Sequence, residues 1–344
     1  MNKRKTQWVI VAAIILIGGF LVFKFIGPAT SKPEKEYLYI KTGSDLNSVK
    51  QQLLDEKILS SLTWFNMITK VLKIHNIMPG KYEVPDGMSV LNLVRLIRNG
   101  SHTPVKFVVT KIRTKEQLAG RLGRAFEFDS LEAIQFLGSN DSLKSYSLDS
   151  NTVMAAVLPL TYQSGWATNA KAVFEKFNIA YRKFWTNERK EKAASQNLSP
   201  IQAVTLASII DEETNATKEK GTIASVYLNR LQRGMPLQAD PTVKFALKDF
   251  GIKRVLNHHL QVESPYNTYR NKGLPPGPIC TPQEETVDAV LNAPKTEYLF
   301  FVASTAFDGT HQFTTNYADH MKLARAYQAE LNKRFGKPQK QQTN

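Results

Sequence analysis

The sequence predicts an α+β protein: an N-terminal transmembrane helix, a small α+β module and a larger α+β domain. Three observations predict it. An uninterrupted apolar run fills Trp8 to Phe23. Beyond it, a strand-then-helix pattern begins at Tyr37 and restarts at Val105, with short alternating stretches among longer ones of about 3.6-residue period. Within the second pattern, Ser199-Pro-Ile-Gln opens a helix that runs into three consecutive acids, Asp211, Glu212 and Glu213. The 344 residues allow roughly two or three domains, and 42% hydrophobic residues suffice for their cores.

The apolar run, extended through Lys24 to Gly27 by treating Lys24 as a snorkelling end residue, reaches the about 20 residues that cross a bilayer. A cleaved signal peptide would show a shorter apolar core and a small-x-small site, and neither is clear. Lys3, Arg4 and Lys5 precede the span, which puts the N-terminus in the cytoplasm and the remainder outside. The expected partition is a basic cytoplasmic segment (1–7), the span (8–27), a polar linker (28–36), the small module (37–103), the larger domain (104–336) and a disordered tail (337–344). A formal net charge of +15 points to an anionic partner: nucleic acid, a membrane surface or an acidic envelope polymer. An extracytoplasmic body disfavours nucleic acid. The single cysteine, Cys280, excludes an internal disulfide and a thiolate metal cluster.

In the small module, Tyr37 to Lys41 and Lys81 to Pro85 read as strands, and Leu46 to Glu56, Ser61 to Leu72 and Val90 to Arg98 as helices. It carries no cluster of catalytic residue types, so it reads as a binding or positioning module. The larger domain starts with a strand at Val105 to Val109 and a helix after Thr114, whose capping-box partner is Gln117. Pro159 to Tyr162 reads as a loop or turn. Ala170 to about Lys192 reads as one helix whose Phe174, Phe177, Tyr181 and Phe184 form a buried stripe beside a solvated basic face. Lys218 to Arg233 is helical and closed by Gly234. Three loops follow, Leu237-Gln-Ala-Asp-Pro-Thr, Ser264-Pro-Tyr-Asn-Thr-Tyr and Gly273-Leu-Pro-Pro-Gly-Pro-Ile, the last stiffened by its prolines. A helix from Pro282 to Leu291, a strand from Tyr298 to Ala303 and a helix from Tyr317 to Phe335 complete the domain.

The helix after Ser199 carries the acids that stand out. Ser199 is an N-cap, Pro200 occupies the first turn and Gln202 completes a capping box. Glu213 shares its face with Ile210, Ile209 and Leu206, whereas Glu212 falls with Ser208 and Thr205. Burial among apolar side chains disfavours the charged carboxylate and raises its pKa, which is how a general acid stays protonated near neutrality. Three acids at a helix C-terminus also oppose the macrodipole, so something must offset them. A solvated acidic cluster is the competing reading.

Other chemistries find little support. The six histidines include the adjacent His258 and His259, which diverge on regular structure, and His311 and His320, too far apart for one helical turn. No His-Glu-x-x-His set, Gly-x-Ser-x-Gly elbow or Gly-rich phosphate loop appears. Cys280 reads as a small buried filler, although His311 is available to it.

Ala207-Ser-Ile-Ile-Asp-Glu-Glu-Thr, Ala224-Ser-Val-Tyr-Leu-Asn-Arg-Leu, Leu237-Gln-Ala-Asp-Pro-Thr-Val, Tyr266-Asn-Thr-Tyr, Gly273-Leu-Pro-Pro-Gly-Pro-Ile, Thr281-Pro and Tyr298-Leu-Phe-Phe-Val, with His311 and Phe313 after it, stand in this order. Together they resemble the endolytic murein transglycosylases, membrane-anchored lytic transglycosylases that cut peptidoglycan glycan strands. The resemblance implies that the small module is LysM-like and that Glu213, the acid before the threonine of a Glu-x-Glu-Thr motif, is catalytic. The motif's first acid is Asp211 in this chain. Met154-Ala-Ala-Val-Leu leading into Pro159-Leu-Thr-Tyr departs from the family, which often carries Glu-Gly and then Pro-Asp-Thr-Tyr there. Both acids of that pattern are absent, Pro159, Thr161 and Tyr162 keep its other residues, and the resemblance leaves a substrate role in the loop to Tyr162 alone.

The resemblance further implies that Glu213 protonates the glycosidic oxygen between MurNAc and GlcNAc and then takes a proton from the 6-hydroxyl as it attacks the anomeric carbon, leaving a 1,6-anhydro end. It implies no cofactor and no metal, peptidoglycan glycan strands as substrate and peptidoglycan synthases as neighbours. Gln238, Asp240, Tyr266, Asn267 and Tyr269 are expected to line the glycan groove. Two other readings stand beside it. A muramidase-type hydrolase would use a second carboxylate, Asp211 or Asp240, and an envelope-binding scaffold would bind glycan without turnover.

Overall fold

In the computed structural model, which describes residues 3–335, the chain mixes helices with short two-stranded sheets and begins with one apolar helix, α1 (Lys3–Ile26). Thr6–Ile26 of α1 is long and apolar enough to cross a membrane, with a mean hydropathy of 2.8, and it fits a single-pass anchor. The expected disordered tail, 337–344, lies outside the described residues. So do the first two residues of the expected cytoplasmic segment.

The chain divides into two compact units. The first takes in residues up to Phe107 together with 122–130 and 162–170. Here β1 (Leu38–Ile40) pairs antiparallel with β2 (Gly80–Tyr82), Tyr39 facing Lys81 in register. Around them lie α2 (Leu46–Asp55), α3 (Thr63–Val71) and α4 (Val90–Asn99). Local sequence sets these ends. Asp45 accepts the Ser48 N–H at the start of α2, and Ser89 accepts the Asn92 N–H at the start of α4. Gly100 ends α4 at φ 65°, a left-handed cap that glycine adopts without steric cost. Leu38, Ile40, Leu53, Phe65 and Leu93 close the core. Most of β3 (Val105–Val108) and β4 (Thr161–Ser164) also belongs to this unit, and these strands pair. Thr161–Ser164 is thus a strand, where the sequence suggested a loop or turn.

The second unit takes in 108–121, 131–161 and the chain from Lys171 onward. Its elements are α5 (Lys115–Ala125, shared with the first unit), α6 (Ser130–Gly138), α7 (Asn140–Lys144), α8 (Ala170–Phe184), α9 (Asn187–Ser195), α10 (Pro200–Glu213), α11 (Thr217–Gln232), α12 (Asp240–Leu247), α13 (Glu284–Leu291) and α14 (Tyr317–Phe335). The antiparallel hairpin of β5 (Phe300–Ala303) and β6 (His311–Thr314) accompanies them. The single helix expected from Ala170 to Lys192 is two, because Thr186 accepts the Arg189 N–H and starts a new helix after Trp185. Phe174, Phe177 and Phe184 are buried, as a packing stripe requires. The loop expected at Asp240-Pro241 is the first turn of α12, where proline's fixed φ is suited to a helix start.

Helix α10 is the centre of this unit, touching α9, α11, α12 and α13. Its predicted capping box is formed: Ser199 accepts the Gln202 N–H, and the Gln202 side chain accepts the Ser199 N–H. Thr205 and Ser208, which share a face with Glu212, form an interior seam. Ser208 Oγ accepts the Ile279 N–H at 2.9 Å and donates to the Thr205 carbonyl. Cys280 Sγ donates to the Ser208 carbonyl and is fully buried. This seam docks the end of the proline-rich loop against the helix that carries the acids.

Candidate active site

The three acids at the end of α10 have three different environments. Asp211 is 5% exposed and held from two sides. Lys220 of α11 approaches its Oδ1 at 3.0 Å and Lys111 its Oδ2 at 3.2 Å. Thr286 of α13 donates to Oδ1 at 2.7 Å and itself accepts from Lys220. Burial alone would raise the Asp211 carboxyl, but the Thr286 and Lys220 hydrogen bonds and the two ammonium charges outweigh it and hold the group below its usual range. Glu212 is gripped by Arg113 through two parallel bonds of 3.1 and 3.0 Å, with Lys111 at 3.5 Å. Lys111 also donates to the Asp211 carbonyl at 2.7 Å, capping the helix end. Lys111, Arg113 and Lys220 are therefore the offset that three acids against a macrodipole demand.

Among the described residues Glu213 forms no ion pair. Its one hydrogen bond among the described residues comes from the Tyr227 hydroxyl, which donates to Oε1 at 2.9 Å. Desolvation dominates and pushes the carboxyl up to about 7; the Asp240 and Glu212 charges add to the rise, while the Tyr227 hydrogen bond and Lys244 oppose it. Tyr227 is buried on α11 with Phe301 of β5 edge-on at 5.8 Å. Burial and the neighbouring Glu213 charge push its phenol far above its ordinary range, so it remains a donor.

Glu213 lines a cleft of about 580 Å³ between the α10–α11 turn (214–216), the β5–β6 connection and Tyr327 of α14. His311, first residue of β6, lines the same cleft. Its backbone N–H and ring Nδ1 both meet the Glu219 carboxyl, each at 2.9 Å.

Five residues were expected to line a groove. Asp240, first residue of α12, lies close enough to raise Glu213 electrostatically and accepts the Tyr269 hydroxyl at 2.6 Å. Burial first, then this bond, pushes the Tyr269 phenol far upward. Gln238 is exposed, with φ 55° and a 3.4 Å contact from Arg230 to its Oε1. Tyr266 packs on Phe245 at 4.6 Å and lines a separate hollow of about 210 Å³ with Arg113, Lys115 and Lys248; burial pushes its phenol up to about 12. Asn267 does not face a groove. It is fully buried, donates to the Leu260 and Val262 carbonyls and accepts from the Tyr269 N–H, so it holds its loop together. Among the described residues no group of three or more His, Cys, Asp or Glu is arranged to hold a metal ion.

Tyr227 and the Glu219–His311 pair were not read as site residues. Tyr227 stands at core spacing with Ile223 and Leu231, and Glu219 and His311 are 92 residues apart. A tyrosine fourteen residues after an elevated acid, across a short turn between packed helices, is the signal that was there to read.

A cleft lined by a carboxyl pushed up to about 7 has the chemistry that acid–base catalysis requires. The family pattern matching residues 38–326 is that of the YceG-like family, and the chain belongs to that family. It is 27% identical over 342 residues to the endolytic murein transglycosylase of Bacillus subtilis strain 168, covering 93% of each chain. The endolytic murein transglycosylase of Streptococcus pneumoniae serotype 2 strain D39 is 24% identical over 363 residues, 95% of this chain and 65% of the pneumococcal one. The crystal structure of a YceG-like protein from Listeria monocytogenes superposes with a TM-score of 0.54 at 28% identity, covering 83% of this chain and 98% of that one.

Proposed function

We propose that the chain is a membrane-anchored peptidoglycan lytic transglycosylase that cuts within nascent glycan strands, with Glu213 as its acid–base catalyst. One observation carries the reading. Of three consecutive acids, Glu213 alone forms no ion pair among the described residues, and it is pushed up to about 7. The names of the Bacillus and Streptococcus relatives support the substrate class.

Protonated Glu213 gives its proton to the oxygen joining MurNAc C1 to GlcNAc. The C1–O bond breaks, the same MurNAc's 6-hydroxyl oxygen bonds to C1, and the hydroxyl proton passes to the Glu213 carboxylate. A 1,6-anhydroMurNAc end and a free GlcNAc 4-hydroxyl result. Water is not consumed and the acid is regenerated. Tyr227 donates to the carboxylate that exists between the two proton transfers.

Asp240, Tyr269, Gln238 and Tyr266 belong to the glycan groove in this reading. Residues 37–103 act as a LysM-like module, 104–336 as the catalytic domain, and the 28–36 linker keeps both near the outer face of the membrane, with the N-terminus in the cytoplasm. Ending strands there places the protein beside the synthases that extend them.

A muramidase-type hydrolase needs a second carboxylate. Asp211 is ill-suited, with both oxygens committed to lysines and Thr286. Asp240 is left as the other candidate. The deciding experiment incubates the full-length chain in detergent with uncrosslinked glycan strands, beside Glu213→Gln, and reads new ends by mass spectrometry. Anhydro ends lost in the variant support the lyase. Reducing ends replace it with the hydrolase, and uncut strands with the scaffold.

A further inference from the structure

We propose that His311, oriented by Glu219, is a second substrate-contacting group of the cleft: its ring Nε2 accepts a hydrogen bond from a sugar hydroxyl and fixes the sugar ring against Glu213. The inference rests on the glycan-cleaving reading above for its substrate class, and on four observations of its own.

The first is the way one carboxyl is used. Glu219, in the first turn of α11, receives both the backbone N–H of His311, on Oε1, and the ring Nδ1, on Oε2, each at 2.9 Å. A carboxylate only accepts, so Nδ1 carries the proton and donates. In the neutral tautomer with its proton there, the lone pair is on Nε2. A single bond would have tied the hairpin to α11. The second bond selects a tautomer, as the partner of a working imidazole does.

The second observation is that Nε2 meets no protein group among the described residues, while the ring lines the same cleft as Glu213. Third, the ring cannot swing freely. The side chains of His311 and Glu219 are 14% and 15% exposed, and Phe301 stands edge-on to the imidazole at 5.4 Å. Fourth, that same Phe301 stands edge-on to Tyr227, the donor to Glu213. One aromatic ring thus packs on both the imidazole and the phenol that donates to the acid. A preset acceptor beside a preset acid suits a ligand rich in hydroxyls, such as a glycan.

A purely structural clamp between β6 and α11 is the alternative, and three substitutions separate the two. His311→Asn keeps an amide N–H near the Nδ1 position to donate to Glu219 but has nothing at Nε2. His311→Gln places an amide oxygen near Nε2 and loses the clamp. Glu219→Gln keeps an acceptor for the backbone N–H while offering Nδ1 a donor, which moves the ring proton to Nε2 and turns an acceptor into a donor. If His311 contacts the sugar, His311→Asn and Glu219→Gln melt near the parent yet lose roughly ten- to a hundredfold in kcat/KM on uncrosslinked glycan strands. His311→Gln retains more of that activity at a lower melting temperature. The ¹⁵N spectrum of the parent imidazole shows the proton on Nδ1, and its Nε2 resonance shifts when an alternating GlcNAc–MurNAc tetrasaccharide is added.

Parent-like kinetics in His311→Asn, or an Nε2 resonance that ignores the tetrasaccharide while the parent cuts strands, overturns the proposal and leaves the catalytic reading standing. A parent that shifts Nε2 on binding but cuts nothing supports the contact and removes the catalytic reading. Neither binding nor cutting removes both.

Discussion

The Tyr227 hydroxyl donates to Glu213 Oε1 at 2.9 Å, and among the described residues it is the one hydrogen-bond partner of the carboxyl, which burial pushes up to about 7. A hydrogen bond to the charged form favours ionisation, so this contact holds the acid down against desolvation. In Tyr227→Phe the carboxyl is expected to rise further. Activity that needs protonated Glu213 falls on the basic side of its pKa, so the basic limb of the kcat/KM profile moves to higher pH. The maximum drops by about tenfold or more, because the carboxylate formed in mid-reaction loses its donor. A pH–rate profile of both proteins on glycan strands reads the two effects separately.

An elevated buried carboxyl costs stability. With a folded value of about 7 against an ordinary 4.5, both states are protonated at low pH and the group is neutral for folding. Between those values the unfolded chain ionises while the folded chain keeps its proton, so stability falls as pH rises. The total is about 1–3 kcal/mol after allowance for the solvent that reaches the cleft. Glu213→Gln removes this loss along with the activity. It should melt with the parent near pH 4 and above it near pH 8. A variant that melts with the parent at both pH values would place the carboxyl in ordinary solvent.

Asp211 has the opposite sign. Its carboxyl is held below the usual range, so its stabilising effect is complete above its ordinary value and fades as pH falls through the lowered one. Lys220→Met removes the partner at 3.0 Å and leaves a buried carboxylate with Lys111 and Thr286 only. The expected cost is about 3 kcal/mol at neutral pH, read by denaturant titration, and it shrinks in acid.

The contrast between these acids shows what the sequence could and could not disclose. Helix geometry set Glu213 apart, because Ile210, Ile209 and Leu206 share its face, and capping chemistry placed the helix start at Ser199. Both are local. The counter-charges come from elsewhere: Lys111 and Arg113 lie about 100 residues before the acids they hold, and Thr286 lies 75 residues after Asp211. No periodicity encodes such a meeting. That Thr205 and Ser208 form a buried seam was not legible for the same reason, since their partners lie on other elements of a helix packed on nearly every side. Asp240-Pro241 looked like a turn because the same dipeptide serves turns and helix starts.

Gly277 tests how the proline-rich loop supports the site. A Cβ added there would lie 2.0 Å from the Asn151 carbonyl oxygen and 2.7 Å from its carbon, both backbone atoms that cannot step aside cheaply. Two residues on, Ile279 bonds to Ser208 of the acid-bearing helix. Gly277→Ala is expected to destabilise the fold by about 2 kcal/mol or more. Activity should fall by more than the unfolded fraction explains, because the strain is delivered to α10. A melting curve paired with kinetics on the folded fraction separates the two losses.

Asp240 decides between lyase and hydrolase, and its electrostatics give each outcome a distinct signature. Its charge raises Glu213, and its Oδ1 accepts the Tyr269 hydroxyl at 2.6 Å. Asp240→Asn keeps a carbonyl oxygen for Tyr269, so the groove wall stays in place, while the charge is gone. If Glu213 works alone, the variant still makes anhydro ends, and its basic limb moves to lower pH because the acid is no longer raised by a neighbour. If Asp240 activates water, the parent makes reducing ends and the variant loses them by roughly a hundredfold or more, the scale of a missing general base. Product ends and pH profile come from one set of digests. Anhydro product with an unmoved profile would remove the electrostatic coupling of Asp240 to Glu213 while leaving the lyase chemistry in place.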